Sequence, residues 1–310
     1  MNSPQSRAAT RADPVALKAR IITFMQAASM EITPSEEAGL PQLVKLLPRG
    51  ATVYIAHTPN STLAQVIKTA IAVQRAGFRA TPHIVARRLS YQHTLRIALA
   101  ELCAGGVEQM LLIAGDVGRA TGEFENTLDV LKSGSVEKTG IKRMGVAGHP
   151  EGHRDVGPAL LWNALKEKQA FAQRTEMTVY VVTQFGFDAD AVPRWCDELA
   201  LQGITLPVHV GVAGPVSLSK LIRFAMACGI GASLRSVARN LSAAAAVAGL
   251  ATRPEQHIAH LMQVGTSATR VTAPHFFSFG ASLDTARWIR RVSSGDFTID
   301  PQNCGLELED

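Results

Sequence analysis

The segment Glu108-Gln-Met-Leu-Leu-Ile-Ala-Gly-Asp116 joins a short apolar run to a carboxylate that follows it directly. The run from Met110 to Ile113 is continuous, which is typical of a parallel β-strand buried on both faces. Chemistry in α/β proteins usually lies just beyond the carboxyl end of such a strand, although Asp116 alone is as consistent with capping the next turn. The segment therefore predicts a parallel α/β fold and one candidate functional residue.

The same alternation of an apolar run with a helical segment repeats along the chain, at a spacing of about 30 residues per βα unit. The eight predicted strands are Ala28–Ile32, Thr52–Ala56, Ala80–Val85, Met110–Ile113, Arg143–Gly148, Met177–Thr183, Pro207–Val212 and Pro274–Phe279. Eight such units predict a (β/α)₈ TIM barrel. An open doubly wound sheet ranks second, because no Gly-x-Gly-x-x-Gly follows the first strand.

The pattern places one barrel domain over residues 15–295, between a flexible N-terminal tail (1–14) and a C-terminal tail (296–310). Helical segments at Leu234–Leu250 and Glu255–Leu261 have no strand between them, which predicts extra helices between strands 7 and 8. Ser35 is the expected N-cap of a helix that runs to Leu47.

Composition excludes several classes of protein. Hydrophobic residues make up 46% of the 310, enough for a sizeable core, but no apolar run approaches the ~18 residues of a membrane helix. The net charge is +5, the basic residues are scattered along the chain, and aromatic residues make up 5%. This pattern argues against a nucleic-acid partner and favours a small anionic ligand. The four cysteines are far apart in the sequence, which fits a reducing compartment, and the N-terminal residues lack the apolar segment of a secretory signal. Together these features predict a cytoplasmic protein.

Most predicted strands end in a polar residue, and in a barrel these ends meet at one mouth. The set is Glu31, His57 and Thr58, His83, Asp116, His149 with Glu151 and His153, Gln184, and His275. Two carboxylates in different environments can hold different pKa values, so that one serves as a general acid. A single histidine at a strand end is more often structural than functional. His149-x-Glu151-x-His153 matches no metal-binding spacing, so no metal is predicted.

These residues also carry a resemblance to the methylenetetrahydrofolate reductases, which are flavoprotein (β/α)₈ barrels. The matching segments are Met30-Glu31-Ile32-x-Pro34, Pro82-His83, Gly115-Asp116, Pro150-Glu151-Gly152-His153, Thr183-Gln184-Phe185, and Pro207–Pro215 followed by a helix with Phe224. Each motif is weak by itself. Their shared order and their position at strand ends make the set specific over nearly the whole chain.

The resemblance implies transfer of a hydride from reduced FAD to 5,10-methylenetetrahydrofolate, which gives 5-methyltetrahydrofolate in one-carbon metabolism and methionine biosynthesis. NADH or NADPH would reduce the flavin, tetrahydrofolate derivatives would be the ligands, and a homo-oligomer is expected. Glu31 falls on the family's general acid, Asp116 on the acid beside pterin and flavin, Gln184 on the pterin-binding amide and Phe224 on the aromatic that packs on substrate. Thr58, His83, Ala114, Gly115, Asp116, Ala147, His149, His153 and Lys168 fall on flavin-contacting positions.

Departures from the family pattern all lie on the flavin side. Ala114 replaces the arginine of Arg-Gly-Asp, His149 replaces a tyrosine, and Leu161 and Ala164 are apolar where polar flavin contacts are usual. Two alternatives follow, namely direct hydride transfer from NAD(P)H without a flavin and a non-catalytic folate-binding partner of a methyltransferase or demethylase system. The sequence leaves the direction of reaction and the choice between NADH and NADPH open.

Overall fold

A computed structural model describes residues 13–115, 118–186, 188, 190–217, 220, 254–264, 270–302 and 304–308. In this part of the chain, eight parallel strands pair in chain order and close on themselves. The strands are β1 (Ser29–Ile32), β2 (Thr52–Ile55), β3 (Arg79–Val85), β4 (Gln109–Ile113), β5 (Arg143–Gly148), β6 (Thr178–Thr183), β7 (Val208–Ala213) and β8 (Val271–Phe277). The predicted (β/α)₈ barrel is confirmed.

Helices cover the outside of the barrel. They are α1 (Pro14–Gln26), α2 (Leu40–Leu46), α3 (Leu63–Arg75), α4 (Gln92–Ala104), α5 (Thr127–Lys132), α6 (Pro158–Arg174), α7 (Ala191–Leu201), α8 (Pro254–Gln263) and α9 (Ser282–Ser293), with 3₁₀ turns at Pro34–Gly39 and Ala86–Arg88. Helix α8 is one of the extra helices expected between β7 and β8; the predicted Leu234–Leu250 lies outside the described residues. No helix in the described ranges is long and apolar enough to cross a membrane.

Local sequence explains where individual helices begin. Helix α3 begins after Thr62, whose hydroxyl accepts from the Gln65 backbone N–H while the Gln65 side chain accepts from the Thr62 N–H. The predicted N-cap at Ser35 is wrong, because the turn after β1 begins at Thr33. The Glu36 carboxylate accepts hydrogen bonds from both the backbone N–H and the hydroxyl of Thr33, which places this acid close behind β1.

Each strand sends alternate side chains to the helices and to the barrel interior. In β1, Met30 and Ile32 join the large apolar core under the helices, so Ser29 and Glu31 point inward. Register then pairs Glu31 with Tyr54 on β2, and Tyr54 with Thr81 on β3. The inner wall of this barrel therefore carries polar and aromatic side chains among aliphatic ones, and the site is built on it.

The segment predicted as a C-terminal tail contains a hairpin, β9 (Thr298–Ile299) paired antiparallel with β10 (Leu306–Glu307). Phe297, Cys304 and Leu306 are buried and belong to the outer core. The Lys18 ammonium on α1 donates to the Phe297 carbonyl at 2.6 Å. These contacts fix the segment to the helical layer. The predicted N-terminal tail lies almost entirely outside the described residues.

Candidate active site

Glu31 is the acidic centre of the barrel mouth. Its Oε2 lies 4.0 Å from Nε2 of His83 on β3 and 4.0 Å from Nε2 of His275 on β8. The Glu31 side chain keeps 14% exposure, whereas that of His275 keeps 1%. Three strands far apart in sequence thus bring one carboxyl and two imidazoles together, with the carboxyl nearest to solvent.

Burial sets the protonation state of all three groups. Loss of water raises the pKa of Glu31 to about 8, and the negative charge of Glu36 adds to this shift. Burial lowers the pKa of His83 to about 3, with repulsion from His57, and holds the pKa of His275 well below its usual value. At neutral pH the site therefore presents a protonated carboxylic acid flanked by two neutral imidazoles.

Hydrogen bonds hold this group in place. His275 Nδ1 lies 3.0 Å from the Ser29 hydroxyl, and the Ser278 hydroxyl donates to the Glu31 carbonyl at 2.7 Å. The Ser282 backbone N–H donates to the Glu36 carboxylate at 3.3 Å, so the start of α9 supports the acid behind β1. An acid that is fixed, protonated and partly open to the mouth can deliver a proton to a bound ligand.

Gln184 directly follows β6 at the same mouth. Its backbone N–H donates to the Gly148 carbonyl at 2.9 Å, and its side-chain oxygen accepts from the Phe185 N–H at 3.1 Å. The neighbouring Gly211 has no room for a side chain, because a Cβ there would lie 2.3 Å from the Thr183 carbonyl oxygen. The amide of Gln184 therefore has a defined orientation on the wall of the mouth.

A cavity of about 280 Å³ opens between the loop after β5 and helix α6. Four of the residues predicted to contact a cofactor line it, namely Ala147, His149, His153 and Lys168. The apolar departures Leu161 and Ala164 line it as well, next to Trp162 and Trp195, whose rings stack at 6.1 Å. The cavity thus combines an apolar wall with imidazoles and an ammonium.

Lys168 is the cation of this cavity. Its side chain is buried, and the loss of water lowers its pKa to about 8. Within the described ranges it makes no hydrogen bond and no ion pair, although the Glu198 side chain lines the same cavity. Burial also lowers the pKa of His149 to about 4, helped by the charge on Lys168. A buried lysine without a protein partner provides a place for an anionic ligand.

The sequence model of the family described as methylenetetrahydrofolate reductase matches residues 26–259. This chain belongs to the methylenetetrahydrofolate reductase family. Among solved structures, an uncharacterised protein from Clostridium thermocellum, described as binding two copies of 5-methyl-5,6,7,8-tetrahydrofolic acid, is 12% identical with a TM-score of 0.62; the match covers 89% of this chain and 99% of that one. Triosephosphate isomerase from Bartonella henselae is 9% identical at a TM-score of 0.44, over 87% and 99% of the two chains.

Other positions taken from the methylenetetrahydrofolate reductase family lie away from the cavity. Thr58 follows β2, where its N–H donates to the Ser61 hydroxyl at 2.9 Å and its carbonyl accepts from the Arg88 guanidinium at 2.5 Å. Ala114 and Gly115 follow β4, and Gly115 has a φ of 99°, a conformation that favours glycine. Asp116 and Phe224 lie outside the described residues.

His83 and His275 lie inside β3 and β8, within the bounds predicted for those strands, and point into the barrel. They therefore do not lie at the strand ends with which the sequence analysis groups them. The sequence reasoning also missed Tyr54, Tyr180 and His209, which share the barrel interior with them. The available signal was the period of two within each strand, since a polar or aromatic residue between two aliphatic ones marks the inward face.

Proposed function

We propose that this protein interconverts 5,10-methylenetetrahydrofolate and 5-methyltetrahydrofolate by hydride transfer, with FAD as cofactor and NADH or NADPH as electron donor. The observation that carries the proposal is the Glu31 carboxyl at the open end of β1, set 4.0 Å from the imidazoles of His83 and His275. Burial raises the pKa of this carboxyl, which suits a proton donor. Membership of the family supports it, as does the folate bound by the Clostridium thermocellum protein. A general acid must be protonated before it reacts, and the proposed reaction therefore explains why Glu31 is kept neutral at a pH where most glutamates are ionised.

In this proposal, Glu31 protonates the folate nitrogen that is released when the five-membered ring of the substrate opens. The methylene carbon is left as a cationic iminium, which accepts the hydride and becomes the methyl group. Glu31 ends the step as a carboxylate and takes up one proton before the next turnover. Asp116 would lie near the pterin, where a negative charge stabilises the iminium, and Phe224 would pack on the substrate.

The residues around the α6 cavity fit part of a dinucleotide. When bound, FAD would accept the hydride from NAD(P)H and pass it to the folate. Lys168 offers an unpaired cation to a phosphate or ribose oxygen, and His149 and His153 offer imidazole nitrogens beside an apolar wall for a ring. A volume of about 280 Å³ lies just below the ~300–1,000 Å³ usual for ligand pockets, so the cavity would take only part of the cofactor.

Purification with an absorption spectrum, followed by an assay of NAD(P)H oxidation with 5,10-methylenetetrahydrofolate, tests the proposal. A flavin band together with folate-dependent formation of 5-methyltetrahydrofolate is expected. A colourless protein that still forms this product would overturn the flavin part alone. A protein that binds the folate but transfers no hydride in either direction would overturn the proposed reaction.

Replacing Gln184 by alanine is expected to raise KM for the folate while kcat changes little. An amide that pairs with the pterin edge acts equally in the ground state and in the transition state, and such uniform binding appears in KM. Loss of one hydrogen bond to a polar ligand costs ~1–3 kcal/mol. Steady-state kinetics measures the effect, with Gln202→Ala on the surface after α7 as the matched control. A fall in kcat at unchanged KM would contradict the assigned role.

Replacing Lys168 by methionine is expected to weaken FAD binding and to stabilise the empty protein. The lysine stays charged at pH 7 although burial lowers its pKa from 10.5 to about 8, a penalty of about 3 kcal/mol that methionine does not incur. Flavin titration and thermal unfolding measure the two effects. Lys166→Met is the control, because Lys166 lies on the same helix but is exposed. Lower stability without weaker flavin binding would show that Lys168 only supports the fold.

A further inference from the structure

The barrel interior below Glu31 contains buried polar side chains that the proposed reaction does not use. The Tyr54 and Tyr180 hydroxyls share a hydrogen bond of 2.8 Å at the centre of the barrel. The Tyr54 ring lies 4.3 Å from the His275 ring, and the Tyr180 ring lies 4.4 Å from the His209 ring. We call the following set the polar column: Tyr54, Thr81, His83, Tyr180, His209 and His275.

Three atoms of the polar column lack a partner. Thr81 Oγ1, His83 Nε2 and His209 Nδ1 are buried and accept or donate no hydrogen bond in the described part of the chain. Leaving such a group desolvated costs ~1–3 kcal/mol, and folded proteins usually satisfy it with ordered water. Three unsatisfied atoms on inward positions of β3 and β7 therefore indicate that water occupies the space between these side chains.

The polar column lies between the Glu31 carboxyl and the start of β5. At its upper end, His83 and His275 face the Glu31 carboxyl at 4.0 Å. At its lower end lies Arg143, the first residue of β5, which is exposed and has its guanidinium 5.5 Å from the centre of the Tyr180 ring. Its charge also lowers the pKa of His209, so the two groups share one electrostatic environment.

We propose that the polar column, filled with water, carries protons from solvent at the amino-terminal end of the barrel to Glu31. This inference rests on the proposed function. A folate bound at the mouth would separate Glu31 from bulk water, although each turnover removes one proton from it. One proton then enters at the lower end for each proton that Glu31 donates, and each hydroxyl or water on the way gains one proton and loses one.

The chemistry of the column suits this role. A hydroxyl and a neutral imidazole each offer one donor and one acceptor, so both pass a proton on without a lasting change of charge. Burial holds the pKa of His83, His209 and His275 low and raises the pKa of Tyr54, so none of these groups retains a charge at neutral pH. The usual filling of a barrel interior, branched aliphatic side chains, offers no such path.

The double variant Tyr54→Phe/Tyr180→Phe tests the path. Removing both hydroxyls together leaves neither one unpaired, so the barrel is expected to fold. Under multiple turnover at saturating substrates, kcat should fall by about tenfold or more, bounded by the ~10²–10⁴-fold loss expected without the acid itself. The solvent deuterium isotope effect should rise, while the folate KM and flavin reduction by NAD(P)H stay unchanged. Tyr91→Phe, at an exposed tyrosine, is the matched control. Wild-type kcat in a folded double variant would overturn the proposal.

A crystal structure that resolves ordered water provides a second, independent test. Water within hydrogen-bonding distance of Thr81 Oγ1 and His209 Nδ1 is expected, and a dry interior would overturn the proposal whatever the activity. Failure of the proposed function would look different, because wild-type protein itself would then transfer no hydride to or from the folate.

Discussion

Replacing Glu31 by glutamine is expected to lower folate turnover by about 10²–10⁴-fold, the range in which a positioned general acid contributes. Glutamine keeps the length and the hydrogen-bonding reach of the side chain but has no acidic proton. The structure holds Glu31 protonated at neutral pH, with a pKa of about 8, so the wild-type protein begins each turnover with the proton in place.

The two halves of the reaction should respond differently to this change. Reduction of bound flavin by NAD(P)H needs no proton from Glu31, so its rate should stay within about twofold of wild type. Oxidation of the reduced flavin by 5,10-methylenetetrahydrofolate should carry the entire loss. Rapid mixing under anaerobic conditions measures each half by flavin absorbance, which separates an acid from a residue that merely shapes the mouth.

A matched substitution distinguishes the loss of this acid from the loss of any carboxylate. Glu101 lies exposed on α4, and Glu101→Gln should leave both half-reactions unchanged. Equal loss in both half-reactions of Glu31→Gln would show that Glu31 maintains the mouth. No loss in either would move the acid to another residue, with Asp116 and Glu151 as the next candidates.

Much of the fold followed from local patterns in the sequence. Strand β2, predicted over Thr52–Ala56, is observed over Thr52–Ile55, because its apolar run marks both ends within one residue. Strand β5 is observed over the predicted residues Arg143–Gly148, because a charged residue begins its apolar run and a glycine ends it. Such signals act over one turn or one strand, and a single sequence contains them in full.

The candidate site was predicted only in part, because its geometry depends on contacts between distant strands. Glu31 can be assigned from its place in the chain, but its pKa arises from burial beside His83 and His275. These two histidines are far apart in the sequence and meet only when the barrel closes. The hydrogen bond between Tyr54 and Tyr180 crosses the interior from β2 to β6. Closure and stagger of the barrel decide such contacts, and strand spacing alone does not specify them.

The buried acid and the buried histidines should also make stability depend on pH in opposite ways. Folded Glu31 keeps its proton up to pH about 8, whereas the unfolded chain releases it near 4.5, so the free energy of unfolding falls as pH rises between these values. His83 behaves in the reverse sense. Its folded pKa of about 3 lies below the unfolded 6.5, so stability rises with pH across that interval. The full Glu31 contribution amounts to about 5 kcal/mol.

Between pH 6.5 and 8 the difference between the wild-type protein and Glu31→Gln isolates Glu31, because the lowered histidines and Lys168 titrate in both proteins. At about 1.36 kcal/mol per pH unit, the wild-type protein should lose about 2 kcal/mol of unfolding free energy relative to the variant across this window. Glu31→Gln has no carboxyl to ionise at this position and should keep the rise in stability due to the histidines. Urea unfolding at half-unit pH steps measures both proteins under the same conditions. Parallel profiles for the two proteins would mean that Glu31 is already ionised in the folded state, and the neutral acid required for ring opening would then have to be another residue.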